Sequence, residues 1–225
     1  MVLRSTVEAA RRKAAPPDPG LHSTMRIRLA VPSDGPRLAA IYEPAVVGST
    51  LSIELTAPDG AEMSRRVVET TAQRPWLVAE AESILGYAYA SPHRVRLAYA
   101  WSVEVSIYTA HEAHRRGLGR ALYTSLFAVL RLQGFQNAFA GVTVPNPASS
   151  AFHEAMGFEL IGAYRRVGFK DGRWLDTRWY GRSLGDHPPD PAPPRALPDL
   201  VSSLAFEEAL QAGVEAWRRC GPAAS

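Results

Sequence analysis

The chain contains a single cysteine, Cys220, and that scarcity rules out an internal disulfide framework. No spacing of Cys220 with the six histidines resembles a zinc site, so no metal is expected. A run of eighteen apolar residues, the minimum for a helical membrane span, is also missing. The first residues lack a basic-then-apolar leader with a small-residue cleavage site, so a cytoplasmic location is expected. Neither sign of charge dominates: 25 basic residues oppose 22 acidic ones. A net charge of +3, spread along the chain, does not point to nucleic acid as a partner.

What is present is the composition of an ordinary globular enzyme, 46% hydrophobic and 21% charged over 225 residues. That length suits one enzyme-sized core with appendages at its ends. Residues 1–24 read as an N-terminal extension in which residues 2–15 have helical composition and carry Arg11, Arg12 and Lys13 before a proline break. Residues 25–185 form the expected core domain. Residues 186–198, rich in Pro188, Pro189, Pro191, Pro193 and Pro194, read as an extended linker. Residues 199–225 carry a helix whose apolar positions Leu200, Leu204, Leu210, Val214 and Trp217 would cover either a partner or the core.

Within the core the patterning alternates. Residues 26–30 read as a strand, 36–47 and 61–71 as helices, and 48–58 as a loop between them. Residues 76–80 and 84–90 form an expected hairpin, followed by a long strand over 98–108. In that strand Val103, Val105 and Ile107 share one face, and Glu104, Ser106 and Tyr108 share the other. A helix over 121–132 is ended by Gly134, a strand covers 138–144, and a helix over 147–156 is closed by Gly157. Two final strands are expected over 158–167 and 174–182. The order of strands and helices predicts a single α/β or α+β domain. The aromatic residues Trp76, Tyr87, Tyr89, Tyr99, Trp101 and Trp174 are expected to pack the core and sheet.

The most informative segment runs from the long strand through His114, Arg115, Arg116, Gly117, Leu118, Gly119 and Arg120 into a helix. A helix N-terminus offers unsatisfied N–H donors and the positive end of the macrodipole, and glycines let a phosphate approach the backbone. Arg115, Arg116 and Arg120 add countercharge. The spacing is neither the six-residue glycine pattern of dinucleotide folds nor a phosphate loop with Lys-Ser/Thr after its last glycine. A G-x-G pair alone also serves plain turn geometry.

The turn is similar to the Q/R-x-x-G-x-G/A pyrophosphate signature of the GNAT acetyltransferases, and the downstream segment from Asn146 to Phe158 falls where that superfamily has its second cofactor motif. The segments Arg74-Pro75-Trp76-Leu77-Val78-Ala79-Glu80, Tyr99-Ala100-Trp101-Ser102-Val103-Glu104 and Gly168-Phe169-Lys170-Asp171-Gly172-Arg173-Trp174 resemble its phosphinothricin and methionine sulfoximine acetyltransferase branch. The resemblance implies the GNAT fold, a mixed, mostly antiparallel central sheet splayed at the acetyl-CoA site with helices on both faces. Acetyl-CoA is the implied co-substrate, a small amine the implied acceptor, and a homodimer the common assembly of such enzymes.

Carried over by position, the resemblance implies pantetheine pairing along Ile107, Tyr108 and Thr109 and pyrophosphate binding by residues 115–120, including Gly117, Leu118 and Gly119. It implies a cofactor contact from Asn146, a general base in Glu104 and a proton donor to the thiolate in His153. Ile53, Arg94 and Arg96 fall in the implied acceptor site, where an arginine would pair with a carboxylate or phosphinate. Read without the resemblance, Glu104 is a solvent-face glutamate, His153 a helix-surface residue or a substrate hydrogen-bond partner, and each arginine a solvated charge. Three positions depart from the family pattern: His114 replaces a glutamine or arginine, Ile53 a phenylalanine, and Ala100 a polar residue. Other functions compatible with the sequence are acetylation of a protein N-terminus or polyamine, and a non-catalytic coenzyme A-binding module.

Overall fold

A computed structural model describes residues 25–220. The expected helix over 2–15, with its basic cluster, lies outside the described residues. Seven strands form one sheet: β1 (Arg26–Leu29), β2 (Trp76–Glu80), β3 (Ile84–Pro92), β4 (Ser102–Thr109), β5 (Asn137–Val144), β6 (Glu159–Lys170) and β7 (Arg173–Ser183). Their spatial order is β1-β2-β3-β4-β5-β7-β6, and every neighbouring pair is antiparallel except β4 with β5.

Among the described residues five α-helices flank the sheet: α1 (Gly35–Val46), α2 (Gly60–Thr71), α3 (Leu118–Gln133), α4 (Pro147–Ala155) and α5 (Leu204–Cys220). Period-two alternation in the strands sends side chains to two separate cores. Trp76, Val78, Ile84 and Tyr87 pack against Leu38, Ile41 and Tyr42 of α1 and Met63 and Val67 of α2. On the opposite face Leu77, Ala79, Val103 and Val105 pack against Leu122, Leu126 and Val129 of α3. Among the described residues no helix is long and apolar enough to cross a membrane.

The C-terminal helix covers the core. Phe206, Leu210, Val214 and Trp217 of α5 belong to the same buried cluster as α3. The buried Ser125 hydroxyl of α3 donates to Leu210 O at 2.7 Å and accepts from Gly213 N at 3.2 Å. The proline-rich stretch before it is tethered: Arg195 N donates to Gln133 O, Leu197 N to Gln73 O and the Trp101 indole to Ala192 O. Proline removes local N–H donors, so the segment is held by the few residues that retain one and by the buried Leu197.

Some boundaries differ from the sequence reading. β4 starts at Ser102 because a 3-10 turn occupies Leu97–Tyr99, and α3 starts at Leu118, immediately after Gly117. Trp174 is 61% exposed beside Phe169, and Tyr99 is also exposed, so these two aromatics do not join the packed set around Trp76.

Candidate active site

β4 and β5 pair through Ser102↔Asn137, Val103↔Ala138 and Glu104↔Phe139, and then separate. Beyond that point β4 continues along β3 as far as Thr109↔Gly86, while β5 follows β7 as far as Val144↔Asp176. The far half of β4 therefore presents an open backbone edge to the gap. A cleft of about 440 Å³ occupies the split, with Ser106, Tyr108, Gly141, Asn146, Tyr123 and His153 among its walls. An extended chain carrying amide groups would find the same pattern of donors and acceptors there that a further strand would.

The gap opens onto the glycine turn. Arg115 and Gly117 adopt positive φ of 61° and 82°, reversing the chain so that α3 starts directly at Leu118. Among the described residues no side chain caps this helix, which leaves its first-turn N–H groups facing a groove of about 520 Å³. Thr109, His114, Arg115, Gly117, Gly119 and Arg120 line it. A Cβ on Gly119 would stand 3.0 Å from the Phe152 ring, so glycine lets α4 press against the turn. The groove shares Ile107, Thr109 and His114 with the central cleft, and the two form one trough. A pyrophosphate-linked thioester fits it by chemistry: anion donors at one end and an open strand edge leading inward.

His114 has a local task here. Its Nε2 lies 3.1 Å from Thr109 O, an acceptor only, so the imidazole donates and ties the turn to the end of β4. Arg116 lies in the turn but does not line the groove. Asn146 accepts from Ser149 N at 3.1 Å and caps α4, which anchors that helix where β5 ends.

Glu104 points to the face opposite Val103 and Val105, as alternation requires, and shares that face with Ser106 of the cleft. Its Oε1 is 3.1 Å from Arg94 Nη1 and 3.2 Å from His93 Nδ1. Burial raises the carboxyl above the ordinary range, and the neighbouring Arg94 charge opposes that rise. Arg94 is held in turn by its hydrogen bond to the carbonyl of His93 and by the face of Trp179, 5.6 Å away.

His153 is buried rather than on the helix surface, at 4% exposure among Phe152, Phe158 and Tyr180. Its Nδ1 lies 2.8 Å from Ser149 O, so that nitrogen carries the proton. Burial lowers the imidazole below its ordinary range, although the Ser149 carbonyl opposes the shift. The neutral ring then offers the Nε2 lone pair to the Tyr123 hydroxyl at 3.2 Å. Tyr123 itself is fully buried, and burial pushes its hydroxyl well above the ordinary phenol range.

The loop over 48–58 is pinned by the buried Lys170, whose Nζ donates to Val46 O at 2.6 Å and Ser52 O at 2.9 Å. The Tyr42 hydroxyl, pushed up to about 12 by burial, pairs with Ser52 Oγ at 2.6 Å. This brings Leu51 into the cleft wall, whereas Ile53 lies 53% exposed over Gly168 and lines no part of it. Arg96 is exposed at the start of the Leu97–Tyr99 turn. Glu104 and Arg94 are thus brought together as an ion pair; neither they nor Ile53 and Arg96 are among the residues that line the cleft, whose wall on β4 begins one position further along, at Val105. His93, Leu51, Tyr123, Ser149 and Trp179 also belong to this region and carry no distinguishing mark in the sequence. Tyr123 carried no signal beyond its place in an apolar helical stripe.

A sheet parted between parallel strands above an uncapped, glycine-led helix defines a class of acyltransferases that hold coenzyme A thioesters. Comparison with known proteins gives the family: a model described as an acetyltransferase (GNAT) domain matches residues 27–179. The chain belongs to the GNAT acetyltransferase family and is an acetyl-CoA-dependent N-acetyltransferase. It is 43% identical over 127 residues to the phosphinothricin N-acetyltransferase of Streptomyces coelicolor, covering 50% of this chain and 74% of that protein. It is 36% identical over 162 residues to the L-methionine sulfoximine/L-methionine sulfone acetyltransferase of Pseudomonas aeruginosa, covering 70% and 94% respectively. The crystal structure of a GNAT superfamily phosphinothricin acetyltransferase from Sinorhizobium meliloti in complex with acetyl-CoA superposes with a TM-score of 0.71 at 39% identity. That superposition covers 79% of this chain and 97% of that one.

Proposed function

We propose that this enzyme acetylates the α-amino group of a small amino-acid-like acceptor bearing an anionic group, of the phosphinothricin or methionine sulfoximine kind, with Glu104 as general base. The observation that carries the reading is the pairing of Glu104 with Arg94 at the foot of the strand split. A base beside a fixed cation suits a substrate that is an ammonium at one atom and an anion two bonds away. Glu104 would accept the ammonium proton, and Arg94 would hold the carboxylate. The first turn of α3, with Arg115 and Arg120, would hold the pyrophosphate, and the edge of β4 would align the pantetheine arm. The buried Tyr123–His153 pair would lie at the inner end of the cleft, near the departing thiolate.

In this reading residues 25–185 form the catalytic unit and α5 braces it from behind. A cytoplasmic location and a homodimer belong to the same reading. The dimer is supported by exposed Leu160, Ile161, Tyr164, Val167 and Phe169 along the edge strand β6, an apolar rim suited to a second copy. The test is acetyl-CoA turnover with phosphinothricin, methionine sulfoximine, methionine sulfone and free amino acids, with mass spectrometry locating the acetyl group. The proposal expects α-N-acetylation of at least one of these acceptors. Silence across this panel, while a peptide or polyamine tested beside it is turned over, would overturn it.

A further inference from the structure

We propose that His93 is a positioning residue for this reaction: its imidazole, stacked on Phe139, donates to Glu104 Oε1 alongside Arg94 and leaves Oε2 as the oxygen that takes the ammonium proton. The inference rests on the reading of Glu104 as the base, and it assigns His93 a role that the fold alone does not require.

The geometry is specific. His93 Nδ1 lies 3.2 Å and Arg94 Nη1 lies 3.1 Å from the same carboxylate oxygen. The His93 ring is stacked on Phe139 with centroids 4.3 Å apart and an interplanar angle of 24°, while Trp179 and Tyr99 meet it edge-on at 6.0 Å. Phe139 is the β5 residue registered against Glu104 across the last parallel pair before the split. The histidine is therefore fixed by the strand that ends the ladder, and it holds the carboxylate at the last β4–β5 pair before the strands part.

The tautomer follows from the partners. Burial and the adjacent Arg94 charge hold the His93 imidazole below its ordinary range, so the ring is neutral near pH 7. An ionised carboxylate only accepts hydrogen bonds, so Nδ1 carries the proton. The groups bearing on the carboxylate are His93 and Arg94 from the β3–β4 connection and Tyr89 from β3. β5 and β7 contribute the rings of Phe139 and Trp179 to this cluster, and the Tyr164 hydroxyl of β6 meets Arg94 at 3.4 Å. In the step served, one proton moves from the acceptor ammonium to Oε2 and frees the nitrogen lone pair. Oε1 keeps the His93 donor throughout.

The experiment is the pH dependence of kcat/KM for the acceptor in His93→Phe and His93→Asn. Phenylalanine keeps the stacking and removes the donor, whereas the asparagine amide places a donor near the Nδ1 position. The expected result for His93→Phe is an acid limb about one pH unit higher and a plateau about ten-fold lower, with the acetyl-CoA KM unchanged. His93→Asn should return the limb towards wild type. If His93→Phe does not fold, His93→Gln, whose amide reaches towards the Nε2 position instead, takes its place against His93→Asn. Identical limbs in the two variants compared, with Glu104→Gln inactive, overturn the role of His93 alone. Full activity of Glu104→Gln overturns the base assignment and this proposal with it.

Discussion

Arg94 and Glu104 form an ion pair at 3.1 Å in which the carboxylate is the more enclosed partner, its side chain 30% exposed against 40% for the arginine. The pair sets two opposed influences on one group. Burial favours the protonated carboxyl, and the guanidinium favours the ionised one. In the proposed reading, an acceptor carboxylate that engaged Arg94 would weaken its hold on Glu104, so substrate binding itself would raise the proton affinity of that carboxylate.

Replacing Arg94 by glutamine should therefore change two quantities together. The arginine lowers the Glu104 pKa, so its loss raises it, and the acid limb of kcat/KM moves to higher pH. The KM for a carboxylate-bearing acceptor should rise by about 10- to 100-fold, the worth of one charge-assisted hydrogen bond. A pH profile combined with acceptor titration checks both.

At the glycine turn, Gly119→Val places methyl groups where the Phe152 ring stands 3.0 Å from the ideal Cβ position. The ring must move, and α4 with it, away from the groove. Calorimetric titration should show acetyl-CoA binding weakened by about ten-fold or more, roughly 1.4 kcal/mol, with the acceptor KM little changed.

Glu80 provides a stability test remote from the site. Hydrogen bonds from Arg28 and then Arg26 outweigh its burial and hold its carboxyl at about 2 rather than 4.5. A depressed carboxylate stabilises the fold above its unfolded pKa and loses that contribution as pH falls through the folded value. Glu80→Gln should cost about 2 kcal/mol at pH 7, and the difference from wild type should shrink below pH 4.5 and vanish near pH 2. Urea titrations across this range measure it.

The bracing role of α5 rests on the close approach of Gly213 to α3. A Cβ there would stand 2.3 Å from both Ala121 O and the Ser125 hydroxyl oxygen. Gly213→Ala should force the helices apart and lower stability by about 1–3 kcal/mol in denaturant titration.

Local pattern carried much of this structure. The alternation of Val103, Val105 and Ile107 against Glu104, Ser106 and Tyr108 placed the carboxylate on the correct face of β4, and the glycine turn marked the start of α3. Other features depend on distant partners. Nothing near Arg195 or Leu197 announces that their N–H groups bond Gln133 and Gln73, far away in the chain, so a proline-rich tether reads as a linker. α5 begins only at Leu204, after a Leu197–Asp199 turn, because the Ser203 hydroxyl accepts from Phe206 N there. His93 gave no local signal either: its meaning comes from Glu104 and Phe139, which the β3–β4 and β4–β5 pairings bring alongside it. The burial of His153 likewise needs Phe158 and Tyr180, residues of later segments.

The proposed reaction turns on Glu104 taking the proton from the acceptor ammonium. The most direct measurement is thiol release from acetyl-CoA with the best acceptor of the panel, comparing wild type with Glu104→Gln across pH. In Glu104→Gln, kcat/KM is expected to fall at least ten-fold, about 1.4 kcal/mol of transition-state stabilisation, and to lose its acid limb, while acetyl-CoA affinity is retained. An unchanged rate and an unchanged acid limb in Glu104→Gln would contradict it.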